Sequence, residues 1–498
     1  MTALNRTALS RAISDPRPVD GLPSRSPMAG LDRRSLGFVD VLAQSVGAVA
    51  PSAAAATCPA LVAARAGSGT LLAFLLAGVL MALVAYAINQ FTRRMAATGS
   101  LYTFAARGLG VRAGFATAAA MLVGYGFVAM FALLGAAYYT LTLLRRTEAG
   151  VAGSEPLVIV LLLVFGGVCL LVLWRGIRIS ARVTLVIELA SIAAILVLIG
   201  VLLATVPPTA FSAVAVPRGV SGPELAAGTT VAITAFVGFE SAATLGVEAR
   251  RPFATVPRTI RWTVIAAGGL YLLSAYTQLA GFDAFGGSLA SSSSPVNDLA
   301  SRAGVGWIGL LLDAALTCSF IACALASTTA LGRVLFSLGR EGIAPQALGR
   351  THRRFRTPHI ALAWGVAVEV AVPAALVLFG MDPWQAMGIV VVCAAAGYMT
   401  AYALVCVATP FFLRRIGEFT VGPAVAAGVA ATGLVAALGL DIWLEVSGPR
   451  WLAVFILAVA AVGALLAYAV CRRTRTQALA RIGLYDEPTP KDVLGGAP

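Results

Sequence analysis

Four carboxylic acids sit inside otherwise apolar stretches of this 498-residue chain: Glu188, Glu240, Asp313 and Glu369. A carboxylate at the centre of a bilayer costs about 3 kcal/mol on insertion scales, so each is expected to be paired, protonated or functional. Glu240 follows Gly238 and Phe239, and burial at that point works against its charged form. That suits it to exchange a proton and so couple or gate movement of a solute; its plainer role would be to cap irregular backbone. Glu188, one turn before Ser191, suits a polar relay and makes these two residues further coupling candidates. Asp313 offers selectivity for a cationic side chain, set against pairing within the protein, and Glu369 reads as scaffold packing. Other chemistries lack their residues. His352 and His359 share one Arg-rich loop, and the seven cysteines lie in or beside apolar runs without a C-x-x-C spacing. Neither a metal centre nor a disulfide framework is expected. No G-x-x-x-x-G-K-[ST] loop occurs, and no cluster of His, Asp or Glu at one depth suggests a membrane enzyme. No cofactor is implied.

The elements that hold these acids are membrane helices. Apolar residues make up 59% of the chain and charged residues 12%, against roughly half and a quarter in soluble proteins. Apolar runs fall at 36–63, 71–88, 113–144, 157–174, 183–203, 225–247, 263–280, 305–331, 360–379, 387–409, 421–440 and 451–470. Most approach the roughly 20 residues that span a hydrocarbon core of about 30 Å. The net charge of +14 is distributed by topology: five alternate loops carry nineteen arginines and the other six carry six. With eleven further basic residues in the two tails, this bias places both termini in the cytoplasm and leaves no basic patch for nucleic acid. Twelve helices in the cell membrane are expected. The first 35 residues, polar and Pro-rich without the apolar core of a cleaved signal peptide, are expected to form a disordered cytoplasmic tail.

Two runs carry signs of interruption. The first contains Gln44-Ser45-Val46-Gly47-Ala48-Val49-Ala50-Pro51, and the sixth contains Phe236-Val237-Gly238-Phe239-Glu240-Ser241. Each alone is explained by close helix packing at a glycine and a proline kink. Taken together they count for more: if two five-helix repeats begin at runs one and six, these are equivalent positions, and matched interruptions in corresponding halves point to a midplane binding site. Unwinding exposes amides at one half-helix end and carbonyls at the other, poles that suit a zwitterion. The substrate carboxylate is therefore expected on the amides of Ser45, Val46, Gly47 and Ala48, and the ammonium on the carbonyls of Phe236, Val237 and Gly238. Phe236 and Phe239 are placed to close over the ligand. Tyr125, Phe239, Cys318 and Tyr398 are the candidate pocket side chains of helices three, six, eight and ten.

At this point the sequence resembles the amino acid–polyamine–organocation (APC) superfamily, specifically its bacterial amino acid permeases, from about residue 36 to residue 470. The most specific stretch is Gly238-Phe239-Glu240 followed by Glu248, Pro252, Pro257, Arg258 and Ile260. Gly99-Ser100-Leu101-Tyr102-Thr103 with Arg107-Gly108-Leu109-Gly110, and Arg333-Val334-Leu335-Phe336 with Arg340-Glu341-Gly342-Ile343-Ala344-Pro345, support it. The resemblance implies an all-α membrane fold of inverted five-plus-five repeats, as in LeuT-like transporters: residues 36–203 and 225–409, two further helices over 421–470, and a second cytoplasmic tail at 471–498. It implies a secondary transporter of amino acids working by alternating access. Helices one, two, six and seven would move against three, four, eight and nine, the long runs three and eight serving as tilted scaffold. Coupling to protons, as symport or antiport, is favoured over sodium, for which Ser327, Thr328 and Thr329 offer hydroxyls. Transport of polyamines or other organic cations is the alternative, disfavoured by the scarcity of acids. Glu248-Ala249 stands where relatives have paired acids, so an inner-side ion pair is expected to be missing.

Overall fold

The computed structural model describes residues 26–28, 30–147, 155–446, 448 and 451–487. Among them every regular element is helical, with one isolated backbone bridge between Leu36 and Ala249. The elements run α1 (Phe38–Val49), α2 (Pro51–Ala66), α3 (Thr70–Thr92), α4 (Leu101–Leu109), α5 (Val111–Thr147), α6 (Glu155–Trp174) and α7 (Ile177–Thr205). They continue with α8 (Pro208–Val214), α9 (Gly222–Thr234), a 3₁₀ segment Phe239–Leu245, α10 (Pro252–Phe285), α11 (Pro295–Arg302) and α12 (Gly309–Glu341). The last are α13 (His359–Leu378), α14 (Pro383–Arg415), α15 (Val421–Val446), α16 (Trp451–Thr474) and α17 (Thr476–Ala480).

Among the described residues, eleven stretches are long and apolar enough to cross a membrane. The first, Phe38–Thr92, is 55 residues long and divides at the 3₁₀ turn Gly67–Gly69, so it comprises two helical legs. Helix α5 has 37 residues and α12 has 33, and they pack along one another through the centre of the bundle. At about 1.5 Å per residue both exceed a hydrocarbon thickness of about 30 Å, so each must tilt or project. Helix α12 extends beyond the apolar run 305–331 because Arg333 is paired inside the protein, which the hydropathy pattern does not register. Valines and leucines left exposed on α6 and α16, among them Val164, Leu171, Val462 and Leu465, form part of the surface that meets lipid.

The breaks lie where the chain chemistry dictates, with a shift in the first. Proline cannot donate to the helix ladder and clashes with the preceding turn, and its predecessor is pushed out of helical geometry. Helix α1 accordingly ends at Val49, Ala50 adopts φ 47° and ψ 60°, and Pro51 opens α2. A non-glycine residue in that left-handed region costs roughly 1–2 kcal/mol, which the packing on either side must offset. The expected break at Ser45–Ala48 is thus one turn too early, and those residues are the last turns of α1. Gly47 serves close packing, since a Cβ there would collide with the Thr184 methyl. Run six divides into α9 and the 3₁₀ segment, turned at Gly238 with φ 100°, where a Cβ would stand 2.7 Å from the Ala48 carbonyl oxygen.

The first tail is partly ordered. Residues 1–25 and 29 lie outside the described residues, but Met28 and Leu31 are buried against Val247 and Phe336. The expectation of disorder over 1–35 is therefore corrected for its final segment, whose apolar residues have a surface to cover.

Candidate functional site

At the first break the polar groups of the half-helix ends are already engaged by side chains. Pro51 has no amide, the Ser52 amide and hydroxyl both donate to Glu188 Oε1 at 3.1 and 2.8 Å, and the Ala53 amide donates to Ser319 Oγ at 3.3 Å. Glu188, fully buried on α7, therefore sits at the positive end of α2, where a carboxyl group is stabilised by the free amides and the helix dipole. Ser191 does not join it: its hydroxyl donates to the carbonyls of Ile187 and Ala315. On the α1 side, the Ala48 carbonyl receives the Cys323 thiol at 3.5 Å and Ser45 Oγ donates to the Phe239 carbonyl at 2.6 Å, tying the two breaks together.

The second break repeats the motif. Glu240 is buried, with Tyr125 from α5 donating to Oε1 at 2.8 Å and Tyr402 from α14 donating to Oε2. The Gly238 amide donates to the same Tyr402 hydroxyl at 3.3 Å, and Tyr271 holds the Ala235 carbonyl at 2.8 Å. Tyr402 was not anticipated from the sequence, though it stands one helical turn from Tyr398 on the same face. Tyr398 itself packs edge-on to Tyr125 at 5.5 Å. Phe236 and Phe239 do not cover a ligand space: they are buried against Tyr271 and Tyr402, at 5.1 and 5.4 Å between ring centroids.

Both breaks meet the floor of one cavity of about 320 Å³. Ala48, Val49, Ala50, Ala53, Ala235 and Val237 form that floor, and Val128, Phe131, Phe320, Cys323 and Val392 form its walls. Of the eight residues expected to bind substrate, Ala48 and Val237 line this space; Ser45, Gly47, Phe236, Gly238 and Phe239 are buried behind it and Val46 is half-buried in α1. The cavity extends along α2 to Leu61 and Arg65, where Asp441 and Glu445 of α15 complete the lining and Arg65 pairs with Glu445 at 3.5 Å. Helix α15 was not expected here, although two acids one turn apart in an apolar helix were the available signal. Cys318 is half-buried and outside the lining, which Cys323 joins instead.

The opposite end is closed. Arg333 and Glu248, both buried, form an ion pair at 2.7 Å, so the inner pair expected to be missing is present with a single acid. Asp486 accepts from Ser26 at 2.6 Å and pairs with Arg33 and Arg34 at 2.9 Å each, joining the two ends of the described chain. Glu341 accepts the amides of Gly483 and Leu484 at 2.7 and 2.8 Å and the Tyr102 hydroxyl at 3.2 Å.

Two remaining acids are held within the scaffold. Asp313 is buried and its Oδ1 accepts from Asn297 on α11 at 2.6 Å, outside the lining of the cavity, the arrangement of an acid that pairs within the protein rather than of one that faces a cationic side chain. Glu369 accepts the Thr328 hydroxyl at 2.6 Å, which occupies one of the three hydroxyls considered for sodium. Among the described residues no group of three His, Cys, Asp or Glu side chains converges as a metal site would.

Comparison with known proteins agrees with this architecture. The family model described as amino acid permease matches residues 40–470. A branched-chain amino acid permease of Lactococcus lactis is 27% identical over 334 residues, 63% of this chain and 70% of that protein. A branched-chain amino acid permease of Bacillus subtilis is 24% identical over 60% of this chain and 66% of its own length, just under two thirds. The methylthioribose transporter of Bacillus subtilis is 24% identical over 69% of this chain and 75% of its own.

Proposed function

This chain belongs to the amino acid permease family of the APC superfamily, and on that premise we propose that it carries a neutral amino acid with an aliphatic side chain across the cytoplasmic membrane, coupled to protons. The observation that carries the reading is a cavity lined by residues of both helix breaks. Its volume lies at the lower end of the range for ligand sites, about 300–1,000 Å³, which suits one small molecule. Valine, alanine and phenylalanine walls favour an apolar side chain; Glu188 and Glu240 are turned onto the protein itself, and the two acids that do line the cavity, Asp441 and Glu445, lie at its far end beside Arg65, which pairs with Glu445. The branched-chain permeases among the relatives are in keeping with this choice.

In this reading twelve helices cross the membrane, the leg before the Gly67–Gly69 turn and the leg after it counting separately, and residues 36–203 and 225–409 form inverted repeats. The arrangement is open towards Arg65 and closed towards Arg333, the outward-facing member of an alternating-access cycle with both termini inside. The substrate ammonium faces the carbonyl ends of α1 and α9. Its carboxylate approaches the amide end of α2, where Glu188 already lies, so binding is linked to protonation of that carboxyl group; Glu240 links the state of the second break to α5 and α14. Uptake by proteoliposomes from a panel of labelled amino acids, with imposed proton or sodium gradients, tests this. Saturable leucine, isoleucine or valine uptake driven by an inward proton gradient is the expected result. Uptake of cationic amino acids alone, or driving by sodium alone, would refute it.

A further inference from the structure

We infer that the inner end of the bundle carries a binding site for the phosphate of an anionic phospholipid, between the start of α1 and the start of α10. A cavity of about 430 Å³ opens there, lined by Phe38 on one side and by Arg250, Arg251, Thr255 and Arg258 on the other. All three arginines are exposed, so water screens part of their mutual repulsion, and an anion held among them would remove the rest. Among the described residues, none of the three forms an ion pair, and the acids nearby are turned elsewhere. Asp40 accepts the Gly37 amide at 2.9 Å, Asp32 faces Arg356 at 3.5 Å, and Glu248 is committed to Arg333. Arg258 is steadied by the Phe38 ring, 5.0 Å from its guanidinium carbon to the centroid.

A guanidinium presents a planar fork of donors that matches phosphate oxygens two at a time. The surroundings select a lipid over a soluble phosphate. Val39 and Phe253, adjoining the cavity in the chain, are 57% and 49% exposed, and Trp262, one turn beyond Arg258, is 48% exposed. Apolar side chains bared beside guanidinium groups at a bundle end, with a tryptophan among them, are the pattern of a headgroup boundary. Acyl chains would lie along Trp262, one turn from Arg258 on the same side of α10, with the phosphate in the cavity, bridging two helices whose preceding segments meet at the Leu36–Ala249 contact. Retention of positive charge at the inner face during insertion accounts for arginines in this loop, but not for three of them around one concavity without acidic partners.

The test is native mass spectrometry of the full-length protein in mild detergent, titrated separately with phosphatidylglycerol, phosphatidylcholine and inorganic phosphate. One equivalent of phosphatidylglycerol should bind, at least tenfold tighter than phosphatidylcholine, without displacement by millimolar inorganic phosphate. The triple variant Arg250→Gln, Arg251→Gln, Arg258→Gln should lose that preference at least tenfold, while Arg350→Gln, Arg353→Gln, Arg354→Gln should keep it. A second readout uses the unaltered arginines: brominated phosphatidylglycerol should quench a fluorescence component that Trp262→Phe removes, more strongly than brominated phosphatidylcholine. Equal binding of the two lipids, an undiminished preference in the first triple variant, or equal quenching would overturn the site. Displacement by inorganic phosphate would assign the cavity to a soluble phosphate and overturn the lipid.

Discussion

The sharpest consequence of the two breaks concerns Glu188. Its Oε1 lies 3.1 Å from the Ser52 amide and 2.8 Å from the Ser52 hydroxyl, so a substrate carboxylate reaching the same end of α2 would stand within about 4 Å of it. Two like charges at about 4 Å repel by about 4 kcal/mol at an effective dielectric of about 20. Since about 1.4 kcal/mol is tenfold in affinity, a charged Glu188 would weaken binding by up to roughly 10³ relative to a neutral one. Protonation removes the repulsion, and a protonated carboxyl oxygen can still accept from Ser52. Affinity for the substrate should therefore rise as pH falls and Glu188 gains its proton. Glu188→Gln is close to isosteric and permanently neutral, so it should hold the high-affinity value at every pH and release the coupling to protons. The assay is equilibrium binding of labelled leucine from pH 5 to 8 on purified protein, with proton uptake on binding followed by a pH indicator. A Glu188→Gln protein whose affinity keeps the parent's slope with pH, or which takes up a proton on binding as the parent does, would refute the reasoning.

Other perturbations follow from the same geometry. Glu240→Gln places an amide against two hydroxyl donors and forfeits charge-assisted bonds worth about 1.5–3 kcal/mol; the maximal uptake rate should fall at least tenfold with a smaller change in KM, and Tyr402→Phe should follow it in kind. Arg333→Ala strands the buried Glu248 and should cost about 3–5 kcal/mol of the closed inner end, read as raised labelling of an inner-side cysteine; adding Glu248→Ala should restore much of the loss. Gly238→Ala should abolish uptake without loss of membrane insertion, since φ 100° and the Ala48 carbonyl at 2.7 Å leave no room for a methyl group, whereas Gly126→Ala, with open space around it, should transport normally. Asp486→Ala leaves Arg33 and Arg34 without their shared acceptor and should lower the thermal midpoint in detergent, by an amount matching about 1–3 kcal/mol, with transport retained.

Much of this protein is written locally in its chain. Long apolar runs must become helices because lipid offers no partners to backbone amides, and the arginine counts between them carry the expectation of a common side for both tails. Pro51, after a stretch of small residues, marked an interruption in the first run, and Gly238 near Glu240 marked the second, because ring geometry and the left-handed backbone are properties of single residues. Tertiary packing decided what those features serve. Pro51 sets the first break at Ala50, whereas Pro59, Pro257, Pro373 and Pro410 lie inside continuous helices, so packing decides which prolines interrupt a helix. That Glu188 caps α2, that Tyr125 and Tyr402 converge on Glu240, that Asp313 answers to Asn297, and that Arg333 finds Glu248 all depend on pairs between 16 and 162 residues apart. A side chain's depth and rotation about its helix fix its partner, and neither is determined until the helices have chosen their neighbours.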